Sequence, residues 1–473
     1  MEKRTKIVAT LGPASNTVEV VSRLIKAGAN VFRLNFSHGS HESHKIAIST
    51  IREASRATGT HVAILGDLCG PKIRVGTFPG GPVTLKAGDR FTLSQDPGKT
   101  GDQQGVGTSY PFLVKDVRIG DTVLLDDGNI SLKAIEKGEN EVHFSITEGG
   151  VLKDKKGMNM PGIPLTVETI TTKDKDDLRF MIDQGLDFVA LSFVRRADDI
   201  RLLRQLIGQA GIRTIAKIEK PEAVDEIEDI LDEVDAVMIA RGDLGVEMPI
   251  EQVPAIQKHI LNRCSRRGIP AITATQMLES MITNVRPTRA ETTDVFNAIL
   301  DGTDAVMLSG ETAAGANPVE AVRVMSAIAG EAEKLLEEKD RVLWREILPE
   351  GEKEIEDTIA HAACEGAVNV GARAIVAFTT SGNTALHLSK YHCPVPVYAM
   401  TPLESTCRRL ALNWGVRSLR VEDCRSTDTM IELSEKILKE TGIVKSGQIL
   451  VIVAGVPLGV KGNTNMIKMH RVS

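Results

Sequence analysis

Short apolar runs alternate with longer amphipathic stretches through most of the chain, and this alternation most limits the fold. Eight runs precede residue 311, at 6–12, 30–36, 61–67, 188–193, 214–219, 236–243, 270–276 and 305–310. Stretches rich in Ala, Leu, Ile, Glu and Arg separate most of them. Eight strands with intervening helices is the number that closes a β/α barrel, so the expected class is α/β, a (β/α)8 TIM barrel.

One connection is too long for a barrel helix. Between Asp67 and Phe188 the texture changes: β-prone stretches at 82–85, 90–93, 122–125, 130–135 and 141–146 are broken by turns such as Asp126-Asp127-Gly128-Asn129. Little helical periodicity appears there, which predicts a small all-β domain inserted into the barrel. Beyond Leu336 the chain becomes highly charged, then resumes an α/β pattern with strands expected at 374–378, 395–400, 417–421 and 448–454. The expected domains are a barrel of residues 1–69 and 164–337, an inserted β-barrel lid domain at 70–163, and a C-terminal α/β domain at 350–473.

Composition matters mainly for what it excludes. With 57 Lys and Arg against 63 Asp and Glu, the net charge of -6 argues against a nucleic-acid partner, which calls for a basic surplus. The six cysteines form no C-x-x-C pair or zinc spacing, and no apolar run approaches membrane-spanning length. The N-terminus runs directly into a strand-like segment without a signal sequence, so a cytoplasmic location with no membrane partner is expected.

In a β/α barrel the catalytic groups come from the C-terminal strand ends. Here those ends carry Arg33, Asn35 and His38 after the second run, Asp67 after the third and Lys217-Ile218-Glu219 after the fifth. Arg241-Gly242-Asp243, Thr275 and Glu311 follow on the last three. Strand alternation points Lys217 and Glu219 to one side. Glu219 and Asp243 together suit one hard divalent cation with positions left for substrate oxygens. Lys217 and Arg33 add fixed positive charge, which suits a phosphoryl group and a developing enolate or alkoxide. A structural ion pair is the alternative for Lys217 and Glu219 alone; the neighbouring polar strand ends weigh against it. His38, His41 and His44 recur every third residue without a supporting ligand, and a solvated helical face is expected. No Walker A or G-x-G-x-x-G loop occurs. A lysine in the run 153–157 of the insertion could reach a nucleotide phosphate. Thr379-Thr380-Ser381-Gly382-Asn383-Thr384 follows an apolar strand and opens a helix, which suits a phosphate or a simple N-cap.

These stretches together resemble the bacterial-type pyruvate kinases. The matching segments are residues 5–13 (TKIVATLGP), 33–39 (RLNFSHG), 70–74 (GPKIR), 217–219 (KIE), 240–247 (ARGDLGVE), 273–281 (TATQMLESM), 287–291 (PTRAE) and 301–315 (DGTDAVMLSGETAAG). The resemblance implies transfer of the phosphoryl group of phosphoenolpyruvate to ADP, giving pyruvate and ATP, at the end of glycolysis. It implies that Lys217 stabilises the enolate, that Glu219 and Asp243 ligate Mg2+ (or Mn2+), and that Arg33 grips the phosphoryl group. The backbone of Gly242 and Asp243, with Thr275, would seat the substrate carboxylate and lie near the carbon to be protonated. Asn35, His38, Arg74 and Lys156 would contact the nucleotide phosphates. The loop Thr379–Thr384 would bind a phosphorylated metabolite effector, and the assembly would be a homotetramer.

One departure from the family pattern carries a further expectation. Potassium-dependent members hold K+ with residues corresponding to Asn35, Ser37 and Asp67 plus a threonine, and carry a glutamate four positions later. Here the threonine is Leu68 and the glutamate is Lys72. The tethered ammonium of Lys72 is expected to replace potassium, which would then not be required. A metal-dependent aldolase or lyase would share the Glu219 and Asp243 pair but not the lid lysine. A non-catalytic sensor would not need Lys217, Glu219 and Asp243 together.

Overall fold

Eight parallel strands close on themselves in the computed structural model, which describes residues 3–339, 355–424, 426–457 and 463–473. They are β1 (Lys6–Thr10), β2 (Val31–Asn35), β3 (Ala63–Asp67), β4 (Phe188–Leu191), β5 (Arg213–Ile218), β6 (Ala236–Ala240), β7 (Ala271–Ala274) and β8 (Ala305–Leu308). Each pairs with the next, and β8 closes on β1 with Lys6 opposite Ala305. The architecture is the expected (β/α)8 barrel with an inserted β domain and a C-terminal α/β domain. The expected C-terminal domain start at residue 350 lies outside the described residues.

The two-residue period of a strand explains how the barrel is filled. Val8, Val31, Ala63, Leu65, Phe188, Ala190, Ile215, Met238, Ile272, Ala274 and Met307 pack inside the barrel. The alternate positions, such as Ile7, Phe32, Ile64, Val189, Ala216 and Val306, pack outward against the helices. Continuing the inward rows toward the strand ends leads from Val31 to Arg33, from Leu65 to Asp67, from Ala190 to Ser192, and from Ile215 to Lys217 and Glu219. The same alternation that builds the apolar centre therefore delivers its polar groups to one mouth.

The opposite mouth is closed by the C-terminal domain. Its parallel strands Val416–Arg420, Val397–Thr401, Ala374–Phe378 and Ile449–Ala454 are joined by antiparallel Met466–Arg471. Ala411 and Leu412 enter the barrel's interior cluster as its floor. Beside them, Arg408 Nε lies 2.8 Å from Asp187 Oδ1, and Lys6 Nζ donates to Val416 O at 2.6 Å. Leu412 is 1% exposed. Leu412→Ala is therefore expected to destabilise the chain by about 2–5 kcal/mol, read as an earlier first thermal transition. An unchanged transition would mean that the floor adapts around the missing side chain.

The insertion contains a six-stranded sheet around Phe91, Val106, Val123, Leu132 and Phe144, and the pair Val83–Leu85 with Gly150–Leu152. Two expectations need correction, the second only in part. The sixth run does not stay extended to Asp243: the strand stops at Ala240 and Arg241–Glu247 is helical. The histidines form a solvated face only in part, since His38 and His41 are exposed but His44 is not. His44 is buried and stacks on Phe36 at 4.1 Å, while His41 stacks on Phe180 and pairs with Asp177 at 2.7 Å. No helix among the described residues is long and apolar enough to cross a membrane.

Candidate active site

The ammonium of Lys217 is the centre of the barrel mouth. It donates to Ser192 Oγ at 2.7 Å and lies 2.8 Å from Glu219 Oε1 and 3.3 Å from Asp67 Oδ1. Asp67 Oδ2 takes Arg33 Nε at 2.7 Å, and Arg33 Nη1 reaches Thr10 Oγ1 at 3.1 Å. Ser192 also donates to Leu68 O at 2.8 Å. Asp67 and Glu219 are each 1% exposed and Lys217 9%.

Burial sets the electrostatics of this cluster. It works to strip the Lys217 proton, but the Asp67 and Glu219 charges outweigh it and hold the ammonium protonated well above its ordinary range. Burial likewise works to neutralise Asp67, and the Lys217 and Arg33 cations overcome it, keeping that carboxyl below its usual range. Burial pushes Glu219 up to about 7 against the Lys217 charge, and nearby Asp243 adds to the rise. A buried carboxylate raised by a second one nearby is a site that a divalent cation relieves. Among the described residues no group of three or more His, Cys, Asp or Glu could hold a metal. Glu219 and Asp243 would offer two hard carboxylates with the other positions left to substrate and water, a donor set that suits magnesium.

Asp243 reaches the mouth from the first turn of the helix Arg241–Glu247. Beside it, Gly242 N donates to Thr275 Oγ1 at 2.7 Å, and that hydroxyl donates to Ala274 O at 2.6 Å. Thr275 and Gln276 hold φ of 66° and 53°, a left-handed conformation costly for a β-branched residue and typical of functional sites. Arg241, one of the polar strand ends, grips Asp294 through both guanidinium nitrogens at 2.6 and 2.7 Å and donates to Thr275 O. It holds the strained turn in place. Glu311 is also turned inward, accepting from Leu278 N and Ser309 N.

The remaining candidates are spread over the cleft wall. Asn35 Oδ1 accepts from Ser37 N at 3.0 Å, and His38 is exposed beyond it. Arg74 Nη1 donates to Lys155 O at 2.9 Å, and Lys156 Nζ pairs with Asp126 Oδ1 at 2.6 Å, so the insertion carries its cations as one folded unit. Lys72 is exposed and lines the cleft with Asp127, Phe193 and Asp243. Leu68 is 1% exposed and packs outside the barrel. In the C-terminal loop, Thr379 Oγ1 accepts from Gly382 N and Ser381 Oγ from Asn383 N, while buried Thr384 pairs with Thr464. Thr380 and Asn383 remain exposed beside a cavity. Sequence reasoning missed Ser192, Lys220, Glu247 and Asn159.

Residues 2–322 match the family described as pyruvate kinase, barrel domain, and residues 357–470 match pyruvate kinase, alpha/beta domain. The chain belongs to the pyruvate kinase family. It is 47% identical to a pyruvate kinase of Geobacillus stearothermophilus over 478 aligned residues, covering 100% of this chain and 81% of that protein. A Staphylococcus aureus pyruvate kinase is 44% identical, over 99% of this chain and 80% of its own. A crystal structure of a pyruvate kinase from Cryptosporidium parvum superposes with a TM-score of 0.93 at 38% identity, covering 100% and 96% of the two chains. The chain therefore transfers the phosphoryl group of phosphoenolpyruvate to ADP, and as a pyruvate kinase belongs to a family that generally uses Mg2+.

Proposed function

We propose that this pyruvate kinase runs its reaction at the Lys217 cluster and without potassium. The observation that supports the site is the single buried ammonium shared by Ser192, Glu219 and Asp67 beside Arg33. Glu219 and Asp243 hold Mg2+, which when bound neutralises phosphoryl and enolate oxygens. Arg33 and Lys217 grip the phosphoryl group and stay charged throughout, stabilising its passage without covalent chemistry. The Gly242-Asp243 backbone and the Thr275 hydroxyl seat the substrate carboxylate, with Thr275 near the carbon that is protonated. Asn35, His38, Arg74 and Lys156 meet the phosphates of ADP, and the insertion at 70–163 closes over them to exclude water.

Three features support potassium independence. Leu68 offers no side-chain oxygen, and Asp67, a carboxylate that a monovalent cation would need, is already engaged by Arg33 and Lys217. Lys72 brings a fixed positive charge to the cleft that Asp243 lines. Steady-state turnover in a buffer free of potassium and ammonium, with a bulky quaternary ammonium salt holding ionic strength, is expected to be near full. Rescue by potassium of about tenfold or more would refute this reading. Leu68→Thr with Lys72→Glu is expected to make activity respond to potassium.

The loop Thr379–Thr384 is proposed to bind a phosphorylated metabolite, within a C-terminal domain beginning near 350 and a homotetrameric assembly. Thr380 and Asn383 stand exposed where the helix Asn383–Lys390 begins, and Thr406 Oγ1 donates to Thr380 O at 2.8 Å. Thr380→Asp with Ser381→Asp places two negative charges against an incoming phosphate. Activation by a panel of sugar phosphates and nucleoside monophosphates is expected to vanish in that variant while basal turnover stays. Undiminished activation would place the effector elsewhere.

A further inference from the structure

Lys220 directly follows the metal carboxylate Glu219, and Glu247 lies one helical turn beyond Asp243 on Arg241–Glu247. Lys220 Nζ and Glu247 Oε1 meet at 2.7 Å, their side chains 10% and 2% exposed. The same oxygen accepts a second hydrogen bond, from Asn159 Nδ2, also at 2.7 Å. Asn159 belongs to the inserted domain: its strand Met158–Asn159 pairs with Thr122–Leu125. The amide therefore crosses the cleft between the insertion and the barrel, from a wall that includes Met158 to one that includes Phe193 and Asp243.

A buried Lys–Glu pair adds little stability by itself, because desolvating two charges offsets most of their attraction. What this pair presents to the insertion is an ionised acceptor, and charge-assisted hydrogen bonds are the strong, directional kind. We propose that Lys220, Glu247 and Asn159 form a latch that sets how the inserted domain sits over the cleft. Lys220 and Glu247 are positioning residues, and Asn159 is the contact through which they act. Asn159 lies three residues after Lys156, and Arg74 bridges to Gly157 in between, so fixing Asn159 fixes both phosphate-facing cations. The barrel half of the latch lies on the two segments that carry Glu219 and Asp243, which ties the position of the insertion to the metal carboxylates. The inference rests on the reading that Lys156 and Arg74 serve ADP.

The test compares Asn159→Asp, which sets a second carboxylate against Glu247, with Asn159→Ala, which only removes the donor. The distance between the insertion and the barrel is followed without nucleotide, using fluorophores on unnatural side chains at exposed Glu139 and Arg179. Kinetics are measured on the unlabelled variants. The expected result is a longer, broader distance distribution in both variants, larger for Asn159→Asp. KM for ADP is expected to rise by about tenfold in Asn159→Asp, with KM for phosphoenolpyruvate within about twofold and thermal unfolding unchanged. Distances unchanged in both variants overturn the latch whatever the kinetics show. Distances that shift while KM for ADP does not uphold the latch and instead refute the assignment of Lys156 and Arg74 to the nucleotide.

Discussion

Lys217→Met is expected to lower kcat about a thousandfold, some 4 kcal/mol of transition-state stabilisation. Methionine nearly matches the lysine stem in volume, so the packing of the barrel mouth survives. What disappears is a preorganised cation already held 2.7 Å from Ser192 and 2.8 Å from Glu219, with no reorganisation needed as charge develops. The neighbouring Asp67 and Glu219 keep that group protonated, so no pH near neutrality removes the charge in the native protein. Binding of Mn2+ and phosphoenolpyruvate is expected to persist, because Glu219, Asp243 and Arg33 are untouched. Steady-state kinetics alongside Mn2+ electron paramagnetic resonance separates chemistry from binding. A variant retaining about a tenth or more of the turnover would remove Lys217 from the mechanism.

Asp243→Asn is expected to act on binding first. It removes one of two anionic oxygen donors and leaves Glu219 alone against a divalent cation. Losing an outer partner of a metal ligand commonly costs about 10–100-fold in affinity, and losing a ligand is expected to cost at least that. Mn2+ affinity measured without substrate should fall by this amount, with kcat/KM falling in parallel. Raising the metal concentration should recover part of the turnover, a pattern that distinguishes this variant from Lys217→Met. Unchanged Mn2+ affinity would show that Asp243 serves the substrate and not the metal.

The barrel was legible because its signal is repeated: eight apolar runs with polar ends, each reinforcing the others. Lys217 and Glu219 were legible for the same reason, since alternation alone puts them on one side of β5. Asp243 was found but placed on the wrong kind of element. The helix Arg241–Glu247 buries Leu244 and Glu247, and a charged residue at a buried position hides the apolar stripe that marks a helix. In the insertion, strands such as Gly105–Gly107 and Met158–Asn159 are too short to show alternation. Ser192 and Asn159 are ordinary polar residues in sequence, and only the partners that the fold brings to them give them meaning. The histidines misled only in part: His38 and His41 are exposed, as their spacing suggests, but stacking on Phe36 goes with the burial of His44.

The most direct measurement is the location of the metal. Crystals soaked with Mn2+ and oxalate, a planar dianion that mimics enolpyruvate, would reveal it through the anomalous scattering of manganese. The peak is expected between the carboxylates of Glu219 and Asp243, with oxalate completing the coordination beside Lys217 and Thr275. A peak elsewhere, with these two carboxylates unligated, would contradict the assignment of this barrel mouth as the place where phosphoryl transfer occurs.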